Sequence, residues 1–332
     1  MPDQALANSD LQSALIEARQ AYADSNPQSL GRHHEACEAM PGGNTRTTLH
    51  NSPFPLTVVR GEGCRLWDAD GHVYIDVLGE YTAGIYGHSH PVIRAAVDRA
   101  LNHGWNYGGR NENEARLAKL IADRMPSIDL VRFTNSGTEG NVMALAGARV
   151  FAQRNGRTRA TKVMVFHGGY HGGVLYFVSG GSPVNIPYDF IVAPYNDIEG
   201  TRTLLAEHGE ELFAVLLEPM QGSHGCLPGD VGFLKMVREE TKARGITMIF
   251  DEVMTSRLSP GGLQEKHGVI PDMTTLGKYI GGGMSFGAFG GRRDIMELFD
   301  PTKADSLPHA GTFNNNALTM AAGVAGYGEV YT

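Results

Sequence analysis

Two hydrophobic periods alternate through the middle of the chain, and together they predict strands and helices in succession. Apolar runs without polar interruption predict strands at Leu130–Phe133, Lys162–Phe166, Phe190–Ala193, Leu212–Leu217 and Ile246–Phe250. Helical spacing predicts helices at Asn113–Met125, Thr138–Gln153, Asp197–Glu207 and Gly232–Arg244. Buried strands that alternate with helices form a parallel sheet covered on both faces, so the pattern predicts an α/β domain. Ligands of such sheets bind at the carboxyl ends of the strands.

The two ends of the chain follow other patterns. Helical spacing or composition predicts helices over residues 11–25, Pro91–Leu101 and Asn316–Val330. Residues 41–60 are irregular and rich in Gly, Pro and Thr. Residues 65–76 predict a hairpin with Asp70-Gly71 as its turn.

Composition narrows the classes of partner. The 332 residues are 42% apolar and 19% charged, which is typical of a globular protein. A formal charge of -8 without a basic tract argues against nucleic acid and anionic membrane as partners. The three cysteines, Cys37, Cys64 and Cys226, form no CxxC pair, which favours a reducing, cytoplasmic location. Residues 1–10 lack the pattern of a signal peptide, and no apolar run approaches the ~18 residues that span a membrane.

Lys278 lies between a β-prone run and the three glycines Gly281–Gly283. Consecutive glycines bury nothing and cost entropy, so they indicate backbone that passes very close to another group. A lysine beside such a loop can be desolvated, which lowers the pKa of its amine and makes it nucleophilic. Taken alone, the same pattern also fits a surface lysine next to a flexible loop.

A second stretch, Asn135 to Glu139, follows a predicted strand and opens a predicted helix. Ser136 with Glu139 three residues later fits a capping box. The amides and positive dipole end of that helix, with the hydroxyls of Ser136 and Thr138 around Gly137, predict an anion site that suits a phosphate. An ordinary helix cap is the alternative.

Two further stretches follow predicted strands. Asp251 comes directly after a buried strand, where carboxylates serve as metal ligands, salt-bridge partners or partners of a cofactor's ring nitrogen. Tyr170 stands in a glycine-rich stretch that opens at His167, and its ring can lie flat over a planar ligand. His167 and His171 are four residues apart, as zinc ligands can be, but Gly-Gly between them argues against one helix, so we expect no metal.

The four stretches together supply an amine nucleophile, a phosphate cradle, a carboxylate and an aromatic lid. These are the parts that pyridoxal 5′-phosphate (PLP) requires. A lysine holds its aldehyde as a Schiff base, and a carboxylate keeps its pyridine nitrogen protonated. The sequence therefore predicts PLP as the cofactor.

Six motifs then resemble one family, the class III PLP-dependent aminotransferases of fold type I. Within it, the chain is similar to the branch of the β-phenylalanine and other β-amino-acid aminotransferases and glutamate-1-semialdehyde aminomutase. The motifs appear in family order across most of the chain: Ser136–Glu139, Gly169–Gly172, Glu218–Gly222, Asp251–Val253, Lys278–Gly283 and Gly311–Asn316. The β-amino-acid branch is indicated mainly by Pro41–Arg46, Tyr81–Gly84 and Gly311–Asn316.

The resemblance implies a role for each matching residue. Lys278 would carry the cofactor as a Schiff base and then move the proton, and Asp251 would pair with the pyridine nitrogen. The resemblance assigns the remaining cofactor contacts to Ser136, Gly137 and Thr138 (phosphate), Tyr170 and Val253 (ring faces), Gln221 (ring hydroxyl) and Thr312 (phosphate of the neighbouring subunit). Arg46 would grip the substrate carboxylate, for which arginine is chemically suited. A surface ion pair is the alternative for Arg46.

The resemblance also implies a function and a domain plan. We expect a homodimer that moves the amino group of a β-amino acid, of aromatic type, to a 2-oxo acid. Residues 1–75 would form an N-terminal segment and part of a small domain, and residues 76–332 the large PLP-binding domain. Relatives continue past Asn314–Asn316 into a C-terminal part of the small domain, which we expect to be missing here. The alternatives are an aminomutase, which returns the amine to the same carbon skeleton, and an inactive PLP-binding homologue.

Two other chemistries fit the sequence poorly. Gly283 to Gly287 is a literal G-x-S-x-G, but a nucleophile elbow must lead into a helix, and Phe286 and further glycines follow Ser285. A phosphate-binding P-loop needs Ser or Thr after its lysine, whereas Tyr279 follows Lys278.

Overall fold

The structure, a computed structural model, describes residues 4–332, with side chains from Asp10 onward. The expectation about a signal peptide in residues 1–10 lies largely outside the described residues. Within the described part, no helix combines the length and the apolar character that crossing a membrane requires.

The chain divides into two compact units. Unit 1 comprises the described residues up to Gly79 together with Gly87–Ser89, and unit 2 comprises Glu80–Tyr86 and His90–Thr332. The expected domain boundary at residue 75 stays a prediction.

Unit 1 contains two helices and a small antiparallel sheet. Its elements are α1 (Gln4–Ser25), α2 (Pro27–Ala39), β1 (Val58–Glu62), β2 (Arg65–Asp68) and β3 (Val73–Ile75). The hairpin of β2 and β3 is present as predicted, whereas β1 lies partly in the stretch expected to be irregular. Asp70 in the hairpin turn accepts hydrogen bonds from the backbone N–H groups of Gln28 and Ser29, and so caps the start of α2.

Unit 2 is built on a seven-stranded sheet. Its strands are β4 (Leu130–Thr134), β5 (Lys162–Phe166), β6 (Asp189–Ala193), β7 (Leu212–Leu217), β8 (Met220–Gln221), β9 (Leu227–Pro228), β10 (Thr247–Asp251), β11 (Met273–Gly277) and β12 (Gly287–Gly291). The order in the sheet is β4-β12-β11-β10-β7-β5-β6, and β8 pairs with β9 separately. Every neighbouring pair is parallel except those of β12, which runs antiparallel to β4 and β11.

Helices cover both faces of this sheet. They are α3 (Pro91–Leu101), α4 (Glu112–Arg124), α5 (Gly137–Arg154), α6 (Ile198–His208), α7 (Val231–Ala243), α8 (Gly262–His267), α9 (Arg293–Met296) and α10 (Ala317–Ala325). Alternate residues of β5 point to opposite faces, so Val163 and Val165 join a core with α5, and Met164 joins a core with α7. The predicted α/β fold with a mostly parallel sheet is confirmed.

The strand β12 was missed because it carries no hydrophobic period. Its sequence is Gly-Ala-Phe-Gly-Gly, and every residue of it is buried. A Cβ atom added to Gly287 would lie 2.0 Å from the carbonyl oxygen of Ser136. The glycine therefore allows β12 to pass directly against the backbone at the start of α5.

The helices at the two ends of the chain are present, but α1 does not bury its apolar stripe and α10 is shorter than predicted. Leu11, Leu15 and Ile16 of α1 are exposed, so its apolar stripe is not packed within the described part of the chain. At the other end, the Asn316 side chain caps α10 by accepting the N–H groups of Leu318 and Thr319, and the helix ends in a wider π-type turn at Gly326–Val330.

The close approach of Gly287 to Ser136 leads to a prediction about stability. We expect Gly287→Ala to lower the free energy of unfolding by about 3 kcal/mol, because the added methyl group would displace backbone rather than a flexible side chain. Chemical denaturation measures this. Gly232→Ala is the matched control, since a Cβ atom at Gly232 in α7 would meet nothing within 4 Å. Equal unfolding midpoints for the two variants would contradict the packing at β12.

Candidate active site

Four of the segments that follow strands lie at the carboxyl edge of the sheet in unit 2. Asp251 ends β10, Glu218 follows β7, Lys278 follows β11, and the loop that begins at His167 follows β5. Because β5, β7, β10 and β11 are mutually parallel, their ends share one edge of the sheet. The sequence-predicted lysine, carboxylate and aromatic lid are therefore on the same edge.

Asp251 is a buried carboxylate held by three donors. Its Oδ2 atom accepts a hydrogen bond from the Asn141 amide at 2.8 Å and lies 2.9 Å from His171 Nδ1. Its Oδ1 atom accepts the backbone N–H of Val253 at 3.0 Å. Asn141 is fixed in turn by Thr275, whose hydroxyl donates to the Asn141 carbonyl oxygen at 2.6 Å. A carboxylate oxygen can accept two hydrogen bonds, so Oδ1 retains capacity for one more donor.

Lys278 begins the short helical turn Lys278–Gly281 after β11, in an uncommon backbone conformation. Its φ angle is 52°, a left-handed value that a residue with a side chain adopts at a cost. Burial lowers the pKa of the Lys278 amine below its usual range, Asp251 and Glu218 oppose this shift, and Arg257 adds to it. A lowered pKa increases the neutral, nucleophilic fraction of the amine.

Val253 lies between two loops. One is the stretch Asn135–Thr138 at the start of α5, where a phosphate is predicted to bind (the phosphate loop), and the other begins at Lys278 (the lysine loop). A Cβ atom on Gly137 would lie 2.7 Å from Val253 Cγ2, and one on Gly277 would lie 3.1 Å from Val253 Cγ1. The side chain therefore fills the space between the start of α5 and the residue before Lys278. Substituting either glycine would displace Val253, which explains why both positions lack a side chain.

The start of α5, where the sequence predicts an anion cradle, differs from the prediction in its cap. The Ser136 hydroxyl accepts the Glu139 N–H at 3.2 Å, as a helix cap does. The Glu139 carboxylate does not return to the Ser136 N–H but accepts the N–H of Asn135 at 2.8 Å, so the expected capping box is absent. Glu139 lies in the first turn of α5, but its carboxylate binds Asn135, the residue before the cap Ser136.

Tyr170 and Gln221 belong to neighbouring loops that one carboxylate connects. Glu218 accepts the backbone N–H of Tyr170 and that of Gly222, both at 2.9 Å. The Tyr170 ring is 37% exposed and meets the Tyr176 ring edge-on. The Gln221 amide donates to the backbone oxygen of His167 at 2.8 Å, while its buried Oε1 atom has no hydrogen-bond partner.

The last two predicted residues are placed differently. Thr312 is exposed, two residues before Asn314, whose Oδ1 atom accepts a hydrogen bond from Asn135 at 2.9 Å. Its segment is thus tied beside the phosphate loop. Arg46 is exposed in unit 1, just before the short turn Thr47–Leu49, whereas all the other predicted site residues belong to unit 2.

The residues of unit 2 fit PLP. The amine of Lys278, the free capacity of Asp251 Oδ1 and the helix start at Ser136–Thr138 match an aldehyde, a ring N–H and a phosphate, respectively. The unpartnered Oε1 atom of Gln221 is a buried polar group that lacks the partner such groups normally have. A bound polar ring would supply one.

Sequence patterns alone do not indicate which residues hold Asp251. His171 was considered only as a metal ligand, yet its ring is hydrogen-bonded to Asp251. No group of three or more His, Cys, Asp or Glu residues is arranged around a metal position among the described side chains. Asn141 carried a usable signal, because an amide among the small apolar residues of α5 must find a buried partner.

Comparisons with known proteins agree with this geometry. The family model described as Aminotransferase class-III matches residues 47–328. The chain is 53% identical over 327 residues to the beta-phenylalanine transaminase of Variovorax paradoxus, covering 98% of this chain and 74% of that protein. A solved beta-phenylalanine aminotransferase from the same organism superposes with a TM-score of 0.92, over 97% of this chain and 73% of that one.

Two further relatives are more distant. A glutamate-1-semialdehyde 2,1-aminomutase of Methanosarcina acetivorans is 41% identical over 313 residues, covering 90% of this chain and 72% of that protein. A solved transaminase with PLP bound is 34% identical, with a TM-score of 0.86 over 92% of this chain and 74% of that one. The resemblance found in the motifs is confirmed, and the chain belongs to the class III aminotransferases.

Proposed function

We propose that this protein is a PLP-dependent transaminase that moves the amino group of a β-amino acid, of aromatic type, to a 2-oxo acid. The observation that carries the proposal is the lysine of lowered pKa beside a buried, triply held carboxylate at the carboxyl edge of the sheet. The β-amino-acid substrate is supported by 53% identity to a beta-phenylalanine transaminase. When bound, PLP supplies an aldehyde that takes up the amine and a ring that accepts electrons from the neighbouring carbon.

The residues of unit 2 would divide the work as follows. Lys278 would first hold the cofactor and then, as a neutral amine, take the proton of the amine-bearing carbon at its Nζ atom and deliver it to the cofactor carbon that had carried the aldehyde. Asp251 would pair with the ring nitrogen, and the hydrogen bonds of Asn141 and His171 orient that carboxylate. Ser136, Gly137 and Thr138 would bind the phosphate at the start of α5.

The two ring faces and the ring hydroxyl would be contacted by three further side chains. Tyr170 and Val253 would pack on opposite faces of the ring, and Gln221 would reach its hydroxyl. The position of Val253 between Gly137 and Gly277 supports its part, because it links the phosphate loop with the lysine loop.

We also propose a homodimer in which Thr312 reaches the phosphate bound by the partner. The segment around Thr312 supports this, since Phe313 beside it is 56% exposed and Trp105 is 60% exposed. The loop of Trp105 lies against the same segment, because the Ala317 N–H donates to the Trp105 backbone oxygen. Large exposed aromatic side chains close together are typical of an interface. Sedimentation of the purified protein tests this: a species of twice the chain mass is expected, and a monomer would contradict it.

The role of Arg46 in unit 1 and the cellular location are also proposals. Unit 1 would contribute to a small domain that presents Arg46 to the substrate carboxylate, which Arg46 could bind with two parallel hydrogen bonds.

The cytoplasmic location is supported by Cys37, Cys64 and Cys226, which are all unpaired thiols. Fractionation of the source cells would reject that location if the protein appeared outside the cytoplasm.

The reaction itself gives the first functional prediction. Purified protein with PLP, β-phenylalanine and 2-oxoglutarate or pyruvate should form free glutamate or alanine together with the matching 3-oxo acid, as chromatography of the products would detect. Lys278→Ala is the control and should form neither product, because no amine remains to move the proton.

The same experiment separates the alternatives. Isomerisation of glutamate-1-semialdehyde without transfer to an added 2-oxo acid would favour the aminomutase. Bound PLP without any turnover would favour an inactive homologue. Turnover by Lys278→Ala equal to that of the wild type would contradict the proposed mechanism.

The second functional prediction concerns Arg46. We expect Arg46→Ala to raise KM for β-phenylalanine roughly 10- to 100-fold, the effect of losing charge-assisted hydrogen bonds to a carboxylate. Arg46→Lys should recover only part of the loss, because lysine does not bind a carboxylate in a bidentate manner. Steady-state kinetics measures both variants.

Two controls make this prediction specific. Arg32→Ala removes another exposed arginine of unit 1, on α2, and should leave KM unchanged. For an aromatic amine without a carboxylate, neither Arg46→Ala nor Arg32→Ala should change KM. An unchanged KM for β-phenylalanine in Arg46→Ala would reject the assignment of Arg46.

A further inference from the structure

Glu218 carries a buried carboxylate that has no part in the proposed reaction. Glu218 is 7% exposed and follows the interior strand β7. Its Oε1 atom accepts the Tyr170 N–H and its Oε2 atom accepts the Gly222 N–H, each at 2.9 Å. One side chain thus ties the loop after β5 to the loop after β7.

The backbone of Glu218 is itself held in place. The Tyr195 hydroxyl donates to the Glu218 backbone oxygen at 2.8 Å. The Tyr195 ring packs edge-on against Phe166 and Phe233, with centroid distances of 5.9 and 5.4 Å. Glu218 is therefore a fixed point between two loops, which are also linked by the Gln221 amide bonded to the His167 backbone oxygen and by the edge-on contact of the His167 and His224 rings.

Only a carboxylate can make both of these bonds at this size. Each of its oxygens accepts, so two N–H groups can converge on it from different loops, whereas an amide side chain offers one acceptor and one donor. Keeping this carboxyl group charged is costly at a buried position. Burial raises the pKa of the Glu218 carboxyl above its usual range and Asp251 adds to the rise, while His171 and the two N–H groups oppose it. A buried charge that is costly to keep marks a position where geometry is being held.

We propose that Glu218 is a positioning residue of the cofactor site, which holds Tyr170 and Gln221 at their places by binding the backbone of both loops. The proposal rests on the proposed function, because it takes these two side chains as contacts of PLP. Tyr170 is bonded at its own N–H, and Gln221 directly precedes the bonded N–H of Gly222. Both side chains therefore lose their reference position if the carboxylate is lost.

Glu218→Gln tests the proposal. Its NH2 group would face one of the two N–H donors, so at least one loop is released. In the cofactor-free protein, hydrogen–deuterium exchange should become faster at the amides of Tyr170 and Gly222. The dissociation constant for PLP should rise roughly tenfold, the effect of one unsatisfied buried hydrogen-bond donor. The visible circular dichroism of bound PLP should weaken, because the ring loses its fixed position against Tyr170.

Glu252→Gln is the matched control. Glu252 is fully buried, and it accepts the N–H groups of Leu263 and Gln264 in α8. The substitution should speed exchange at Leu263 and Gln264, while the PLP dissociation constant and dichroism stay as in the wild type. This comparison separates a loss of general stability from a loss of positioning.

A milder variant covers the case in which Glu218→Gln does not fold. Tyr195→Phe keeps the ring packing and removes only the hydroxyl that holds the Glu218 backbone. It should speed exchange at Gly222 and weaken PLP binding in the same direction, by less than Glu218→Gln.

Two results would overturn the proposal. One is wild-type exchange at Tyr170 and Gly222 in both variants, and the other is PLP binding in Glu218→Gln that equals that of Glu252→Gln. Failure of the wild type to bind PLP would instead reject the proposed function, whereas the exchange measurement in the cofactor-free protein would still test the tie between the loops.

Discussion

The buried carboxylate of Asp251 is the constraint around which the site in unit 2 is arranged. A buried charge is tolerated only when hydrogen bonds replace the water it has lost. The donors come from α5 through Asn141, from the loop after β5 through His171, and from the residue two positions on, Val253. Satisfying one carboxylate therefore fixes three segments at the same edge of the sheet. Two of those segments are α5, which starts at the phosphate loop, and the loop after β5 that contains Tyr170.

Close packing around this edge explains the distribution of glycine in the motifs. Val253 occupies the space that side chains at Gly137 and Gly277 would need, and the strand containing Gly287 passes against the Ser136 carbonyl. Gly282, in the run after Lys278, has the same basis, since a Cβ atom on it would lie 2.3 Å from the Ala322 carbonyl oxygen of α10. The expectation that backbone passes very close to another group is therefore met at Gly282, but the neighbour is α10.

Sequence patterns predicted the parts that depend on local period and left out those that depend on contacts. The strands β5, β7 and β10 and the helix α3 were found because their apolar spacing is regular. β12 was missed because Gly-Ala-Phe-Gly-Gly has no period, and its place is decided by how closely it approaches Ser136. The stretches around Ser136, Tyr170, Asp251 and Lys278 were recognisable one by one from their residue types. His171 and Glu218 stand in two of the family motifs, but their supporting roles and that of Asn141 were not recognisable, because a hydrogen-bond partner 30 to 110 positions away leaves no local pattern.

The central claim is that Lys278 is the amine that binds PLP, and covalent trapping tests it most directly. The purified protein is mixed with PLP, reduced with borohydride and digested, and the peptides are examined by mass spectrometry. The account predicts that the pyridoxyl group is found on the peptide that carries Lys278, and that Lys278→Ala loses it. A label spread over the exposed lysines, with Lys278 unmodified, would contradict the account.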